Sequence, residues 1–209
     1  MITTGTIGTS RAQAEKTGRD MDVRKIIHFE NYGDAIKLYR QVCERLLDIN
    51  GWNELNGIKK KQYQLCNNIG LPKTGLAQEG DYIRFDLPAP RGTVSSVYDW
   101  VRIERIRNVK TTEDKYAFGM RVRPAADPTR NENSTAHFYT AETTNTFTAE
   151  VSEHTLIVGI HPRNEIINTA EAEDLYSQVR NLVVGFMSWL GVARSQWATL
   201  INGLVSPEY

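Results

Sequence analysis

This 209-residue sequence predicts an α+β fold, a curved antiparallel sheet of about six or seven strands packed on a long C-terminal helix. Two observations predict it. GDYIRFDLP, YDWVRIERI and YAFGMRV follow one another between Gly80 and Val122 with apolar residues at alternate positions, the period of half-buried strands, and Pro/Gly or acidic turns separate them. Farther on, Leu175, Val179, Leu182, Val183, Phe186, Met187 and Leu190 recur at helical spacing and form one broad stripe, which Gly191 ends. A helix with such a stripe needs a sheet face to cover, and this sheet has an apolar face to offer. The same pattern allows one alternative, a small β-barrel flanked by helices.

Each element has its own signal. Val23–Phe29, with Ile26, Ile27 and Phe29, reads as a short strand. From Asp34 as N-cap, the apolar residues Ile36, Tyr39, Val42, Cys43, Leu46, Leu47 and Ile49 mark a helix that Asn50-Gly51 stops. Trp52, Leu55 and Ile58 allow a further short helix before the solvated run Lys59, Lys60 and Lys61. Tyr63–Ile69 is a weaker strand signal, because Asn67, Asn68 and Gly70 interrupt it. Ile83, Phe85 and Leu87 share one face, and the prolines at 88 and 90 close that strand. Val101 and Ile103 share a face from which Ile106 falls out of phase, so a β-bulge is expected near Arg105. Tyr116, Phe118, Met120 and Val122 give the clearest alternation. Ser134–Thr140, Asn145–Val151 and Thr155–Ile160 give three more strands, and His161-Pro162 ends the meander. Ser195 is placed to cap a last helix carrying Trp197, Leu200, Ile201 and Leu204.

Strand, helix, short second helix, some six antiparallel strands and a long amphipathic helix make an order similar to the helix-grip fold of the Bet v 1 and START-like families, over residues 23–190. The resemblance is one of element order, with no shared motif. It implies a sheet wrapped around the long helix, with an apolar ligand held between them in some members and a closed core in others. The domain organisation expected is a flexible arm over residues 1–22, poor in large apolar groups, and a single α+β domain over 23–209 whose residues 192–209 form a short terminal helix.

Lys plus Arg equals Asp plus Glu at 25 each, so the chain has no net field to draw it to nucleic acid or to acidic membranes. The expectation is no nucleic-acid partner and no membrane insertion. The sequence shows neither a signal-peptide pattern nor an apolar run long enough to span a bilayer, and a cytoplasmic location follows as the expectation. Cys43 and Cys66 lack metal-motif spacing and read as small buried hydrophobes.

No catalytic, cofactor or metal motif stands out, and none of these is expected. The candidate ligand-binding residues are Trp100, Met120, Phe186, Met187, Arg121, Arg123, His161 and Arg163. Met120, Phe186 and Met187 belong to the apolar faces that would line a pocket or simply fill a core. Trp100, beside Tyr98 and Asp99, would clamp a ligand or close one end of the core. Arg84, Asp86, Arg102, Glu104, Arg121 and Arg123 share the charged strand face. Forked guanidinium donors there suit an anion, while arginine–acid pairs across strands would equally stabilise a solvated surface. Of these arginines, Arg121 and Arg123 look locally uncompensated. His161 and Arg163, near Glu165 and one strand-length from His154, form the densest mixed polar group and carry the acid–base reading. The hydroxyls of TGTIGTS and TAETTNTFT show no neighbouring histidine in sequence.

These readings favour a non-catalytic binding domain for an apolar or amphipathic small molecule held between sheet and long helix. The alternatives are a structural subunit of a homo- or hetero-oligomeric assembly and, third, an enzyme using His161.

Overall fold

The computed structural model describes residues 22–55, 57, 62–86, 98–129, 144–163 and 197–206. Val23–His28 form β1, Tyr32–Leu47 α1, and Trp52–Leu55 a short α2 reached through a 3-10 turn at Ile49–Gly51. The strands Tyr63–Cys66 (β2), Tyr82–Asp86 (β3), Tyr98–Thr112 (β4), Lys115–Pro124 (β5), Thr144–Ser152 (β6) and Thr155–Arg163 (β7) follow. Residues 197–204 are helical. All strand pairs are antiparallel, in the order β1-β7-β6-β5-β4-β3-β2. The expected α+β class, with a seven-stranded antiparallel sheet and a C-terminal helix, is what forms. The expected strand at Ser134–Thr140 and the stripe Leu175–Leu190 lie outside the described residues.

The barrel alternative is overturned, because β1 and β2 are the two edges of an open sheet. Closure would need hydrogen bonds on the outer edge of β2, and asparagine side chains already hold them. Leu65 N–H donates to Asn50 Oδ1 at 2.9 Å, and Tyr63 N–H donates to Asn53 Oδ1 at 3.0 Å. Asn53 Nδ2 in turn donates to the Tyr63 carbonyl at 2.9 Å. Lys73 N–H takes the carbonyl of Leu65, also at 2.9 Å.

The bulge expected near Arg105 is present. Ile103 pairs with Val122 and Arg105 with Arg121, so Glu104 is the extra residue, and Ile106 returns to the apolar face opposite Met120. The helix start differs from expectation. Asn31 is the N-cap of α1, and its Oδ1 accepts from Asp34 N–H at 3.0 Å, which leaves Asp34 in the first turn where its charge suits the helix dipole. Strand β7 also runs past His161-Pro162 to Arg163, because β6 extends back to Thr144 and continues to pair with it.

One sheet face is apolar. Ile83, Ile103, Phe118, Met120, Phe147, Ala149, Leu156, Val158 and Ile160 are buried there with Ala35, Val42 and Leu46 of α1. Trp52, fully buried, stands 5.0 Å from the Phe147 ring, and Trp197 approaches the same ring at 5.7 Å. Leu200, Ile201 and Leu204 complete this core. Arg45 of α1 donates to the carbonyls of Leu204 and Ser206 at 2.8 and 2.7 Å, satisfying acceptors that the end of the C-terminal helix leaves over.

Candidate functional site

The opposite sheet face is polar, yet its centre is also buried. Thr144, Thr146 and Thr148 alternate along β6, and His161 and Arg163 alternate along β7; each is at most 6% exposed. A buried hydroxyl, imidazole or guanidinium is costly unless it finds partners.

Most of these groups do. His161 Nε2 lies 3.0 Å from Thr148 Oγ1, and His161 Nδ1 lies 3.1 Å from Asp22 Oδ2, close but not aligned as a hydrogen bond. The carboxylate faces Nδ1, which assigns the ring proton there and leaves Nε2 to accept from the Thr148 hydroxyl. Arg163 reaches Asp22 with both terminal nitrogens, Nη2 at 3.1 Å from Oδ2 and Nη1 on Oδ1, and Nη1 also donates to the Pro162 carbonyl at 2.7 Å. Partial burial works to raise the pKa of Asp22, but the contacts from Arg163 and His161, with their charges, hold it down to about 2. Asp22 therefore stays ionised between its two basic partners.

Gly159 makes the imidazole position attainable, since a Cβ there would stand 2.7 Å from His161 Nε2 and 3.1 Å from Thr148 Oγ1. On the other flank of Thr148 the register sets Gly119. That residue is buried, and a Cβ on it would meet no atom of the described residues within 4 Å. Thr148 thus lies between two glycines.

A second cluster adjoins this one. The bulge turns Glu104 toward β5, where its carboxylate lies 2.9 Å from Arg121 Nε and 2.5 Å from Arg123 Nε. The Arg123 contact is a hydrogen bond, whereas the Arg121 contact is poorly aligned. Burial works to raise the Glu104 pKa, and the two guanidinium groups bring it below its usual value. The ladder joins the clusters, because Arg121 pairs with Thr146 and Thr146 pairs with His161. Between guanidinium and imidazole, the buried Thr146 hydroxyl has no hydrogen-bond partner among the described residues.

The residues singled out from the sequence separate accordingly. His161, Arg163, Arg121 and Arg123 converge on the polar face. Arg121 and Arg123 are not uncompensated, however, because the bulge brings Glu104 between them. Trp100 is buried on the same face, 6.2 Å from the Tyr82 ring. Met120 faces the other way, fully buried in the apolar core. Phe186, Met187 and Glu165 lie outside the described residues. His154 sits in the β6–β7 turn, at the far end of the strand from His161.

The expectation that no histidine neighbours the TAETTNTFT hydroxyls is overturned by the His161–Thr148 contact, since chain separation says nothing of partners across a ladder. Three participants went unnoticed in the sequence: Asp22, Thr146 and Thr148. The available signal was Thr-x-Thr-x-Thr over 144–148, which places three hydroxyls on one face of a strand.

Elsewhere, burial pushes the Cys43 thiol up to about 12, against a lowering contact from Tyr39, and burial also raises the Cys66 thiol. Neither is an activated nucleophile. A shallow surface cleft lined by Glu44, Arg45, Asp48, Gly75 and Leu76 involves none of the polar-face residues. Among the described residues no helix is long and apolar enough to cross a membrane.

No family model matches the chain, and no curated protein matches it. Among solved structures, norcoclaurine synthase from Thalictrum flavum in complex with dopamine and hydroxybenzaldehyde is similar at 10% identity, over 91% of this chain and 96% of that one, with a TM-score of 0.30. The truncated norcoclaurine synthase from Thalictrum flavum is similar at 11% identity, over 92% of this chain and 100% of that one, also with a TM-score of 0.30. At that score the likeness bears on neither the fold nor the activity of this chain.

Proposed function

We propose that this chain is a non-catalytic binding domain whose ligand lies on the polar face of the sheet, over the row formed by Arg121, Thr146 and His161. One observation carries the reading. The sheet buries threonines, a histidine and an arginine where an apolar layer would be cheaper, and among the described residues the Thr146 hydroxyl has no hydrogen-bond partner. The sequence suggested instead an apolar molecule between the sheet and the Leu175–Leu190 stripe. Against that form stands the described part of the apolar face, which Trp52, Trp197, Leu200 and α1 already fill.

The test is a screen of polar metabolites against isotope-labelled full-length protein. Binding at this face shifts the His161 imidazole and the Thr146 and Thr148 amide signals together. A folded protein in which no compound moves these signals would sink the reading.

A second reading, acid–base chemistry at His161, is favoured by the order Asp22, His161 Nδ1, Nε2, Thr148 Oγ1, which leaves a basic nitrogen on a hydroxyl. It requires that His161→Gln abolish turnover of a bound compound while leaving its affinity within about threefold, a change of under 1 kcal/mol. The binding reading requires that the compound be recovered unchanged.

A further inference from the structure

From the two edges of the sheet we infer that copies of this chain associate head to tail, the β1 edge of one copy resting on the loop outside β2 of the next. The inference goes beyond the binding reading above and does not depend on it.

The exposed aliphatic side chains are sorted by edge. Ile69, Leu71 and Leu76 are 57, 54 and 50% exposed, all in the loop that follows β2. Ile26 and Ile157, 48 and 37% exposed, are direct cross-strand partners on β1 and β7. Val109 is the one other exposed large hydrophobic among the described residues. The two strips lie at opposite edges of the sheet, because β1 begins its strand order and β2 ends it.

The loop is firmly built. Asn67 Oδ1 accepts from the N–H groups of Ile69 and Leu71 at 3.1 and 2.9 Å, and Asn67 N–H donates to the Leu71 carbonyl at 2.8 Å. Pro72 pairs with Cys66, and Lys73 N–H holds the Leu65 carbonyl, so Leu71–Lys73 runs along the outside of β2. Gly70, at φ 81°, sits where a Cβ would meet Thr129 and Pro128 at 2.6 and 2.8 Å, and Ala77 N–H donates to the Leu47 carbonyl at 2.9 Å. A segment already ordered in this way loses little freedom on docking. Aliphatic groups that such a scaffold holds out in water mark a contact surface.

Charge selects the occupant. Strand β1, VRKIIH, carries Arg24 and Lys25 and no acid. Glu150, which faces Ile157 from β6, lies on the side away from the edge and has a partner of its own. Beside Leu76 the cleft is lined by Glu44, Arg45 and Asp48, two acids to one base, while Lys73 of the loop is held by Asp81 at 2.5 Å. One chain therefore carries both halves of a contact, an aliphatic strip with basic neighbours and an aliphatic strip with acidic ones. Pairing either strip with itself would oppose like charges, whereas joining the unlike strips is a heterologous contact that repeats from copy to copy. Pro72, in the middle of the outer segment, has no N–H to donate, so side chains make the join and not a continued ladder.

Sedimentation velocity of the full-length protein between about 5 and 500 μM tests this, a range that spans the dissociation constants of weak contacts. Wild type should grow past a dimer as concentration rises. Leu71→Lys disables the loop and Ile26→Gln the β1 edge, and each should weaken association at least tenfold. Mixed one to one, the two variants should form a dimer and stop there, because each keeps the half that the other lacks. Both positions are exposed, and thermal unfolding alongside wild type shows that the variants keep the fold; Leu71→Ser and Ile26→Thr replace any that does not. A wild type that stays monomeric at the highest concentration overturns the inference. So do a wild type that stops at a dimer, a variant that associates as wild type does, and a mixture that stays monomeric.

Discussion

His161 lies over the bare backbone of Gly159, two residues earlier on the same strand, at a distance that leaves no room for a methyl group. Gly159→Ala must therefore move the imidazole, and with it the contacts to Thr148 and Asp22. Strand β7 is held on both sides, by β1 and β6, so the backbone has little freedom to absorb the clash. A loss of about 1–3 kcal/mol is expected, typical of overpacking a filled site. Urea denaturation measures it, and the His161 ring signals should change in the same variant. Unchanged stability with an unmoved ring would mean that the imidazole does not occupy this position.

Asp22 carries a pH dependence of definite sign. Its carboxyl titrates near 3.8 when free and at about 2 in the fold, so the unfolded chain binds the proton more readily. The stabilisation is complete above the free value and disappears as pH falls through roughly 4 toward 2. Asp22→Asn should lower stability at pH 6, because Arg163, with a side chain 6% exposed, loses its carboxylate. The same variant should have a shallower decline between pH 4 and 2 than wild type. Parallel declines would show that Asp22 is not held by Arg163 and His161.

Glu104 is the bulge residue, and its carboxylate contacts both Arg121 and Arg123. Glu104→Gln removes the charge that both guanidinium groups contact, so the variant should be less stable than wild type by about 1–2 kcal/mol at low ionic strength. Part of the loss should return at about 1 M salt, where the screening length shrinks to about 3 Å. Chemical denaturation at two salt concentrations checks this. A salt-independent difference would place the effect in packing rather than in charge.

How much of this was legible in the sequence depends on the range of the interaction. Period-two patterning is local, and it located β3 to β7 from residues such as Phe118, Met120 and Val122. Even the bulge was visible, because Ile106 could rejoin Ile103 on one face only if a residue were inserted. Asn31 and Asp34 are both good cap residues, and only backbone geometry shows that the chain is still extended at Asn31, which makes it and not Asp34 the N-cap. The site was harder to see. Thr148 meets His161 through a ladder, and Asp22 meets Arg163 across 141 residues. Nothing in local composition encodes either contact. By composition Asp22 belongs to the arm, since its partners His161 and Arg163 are on the last strand.

The edge strand β2 poses a different problem, because Asn67, Asn68 and Gly70 weaken the strand signal over Tyr63–Ile69, and the strand that forms stops at Cys66. Its stability comes from Asn53, a buried residue 6% exposed, whose carboxamide serves as a substitute neighbour. Its Oδ1 accepts from Gln62 and Tyr63 N–H at 2.7 and 3.0 Å, while Nδ2 donates to the carbonyls of Asn50 and Tyr63, both at 2.9 Å. Asn53→Ala leaves these backbone groups unpaired in a place where water enters poorly, and a loss of about 3 kcal/mol is expected. Hydrogen exchange localises the effect. The Tyr63 amide should lose protection, while that of Leu65, held by Asn50, keeps more of its own. Should Tyr63 stay as protected in the variant as in wild type, the carboxamide is not what closes this edge.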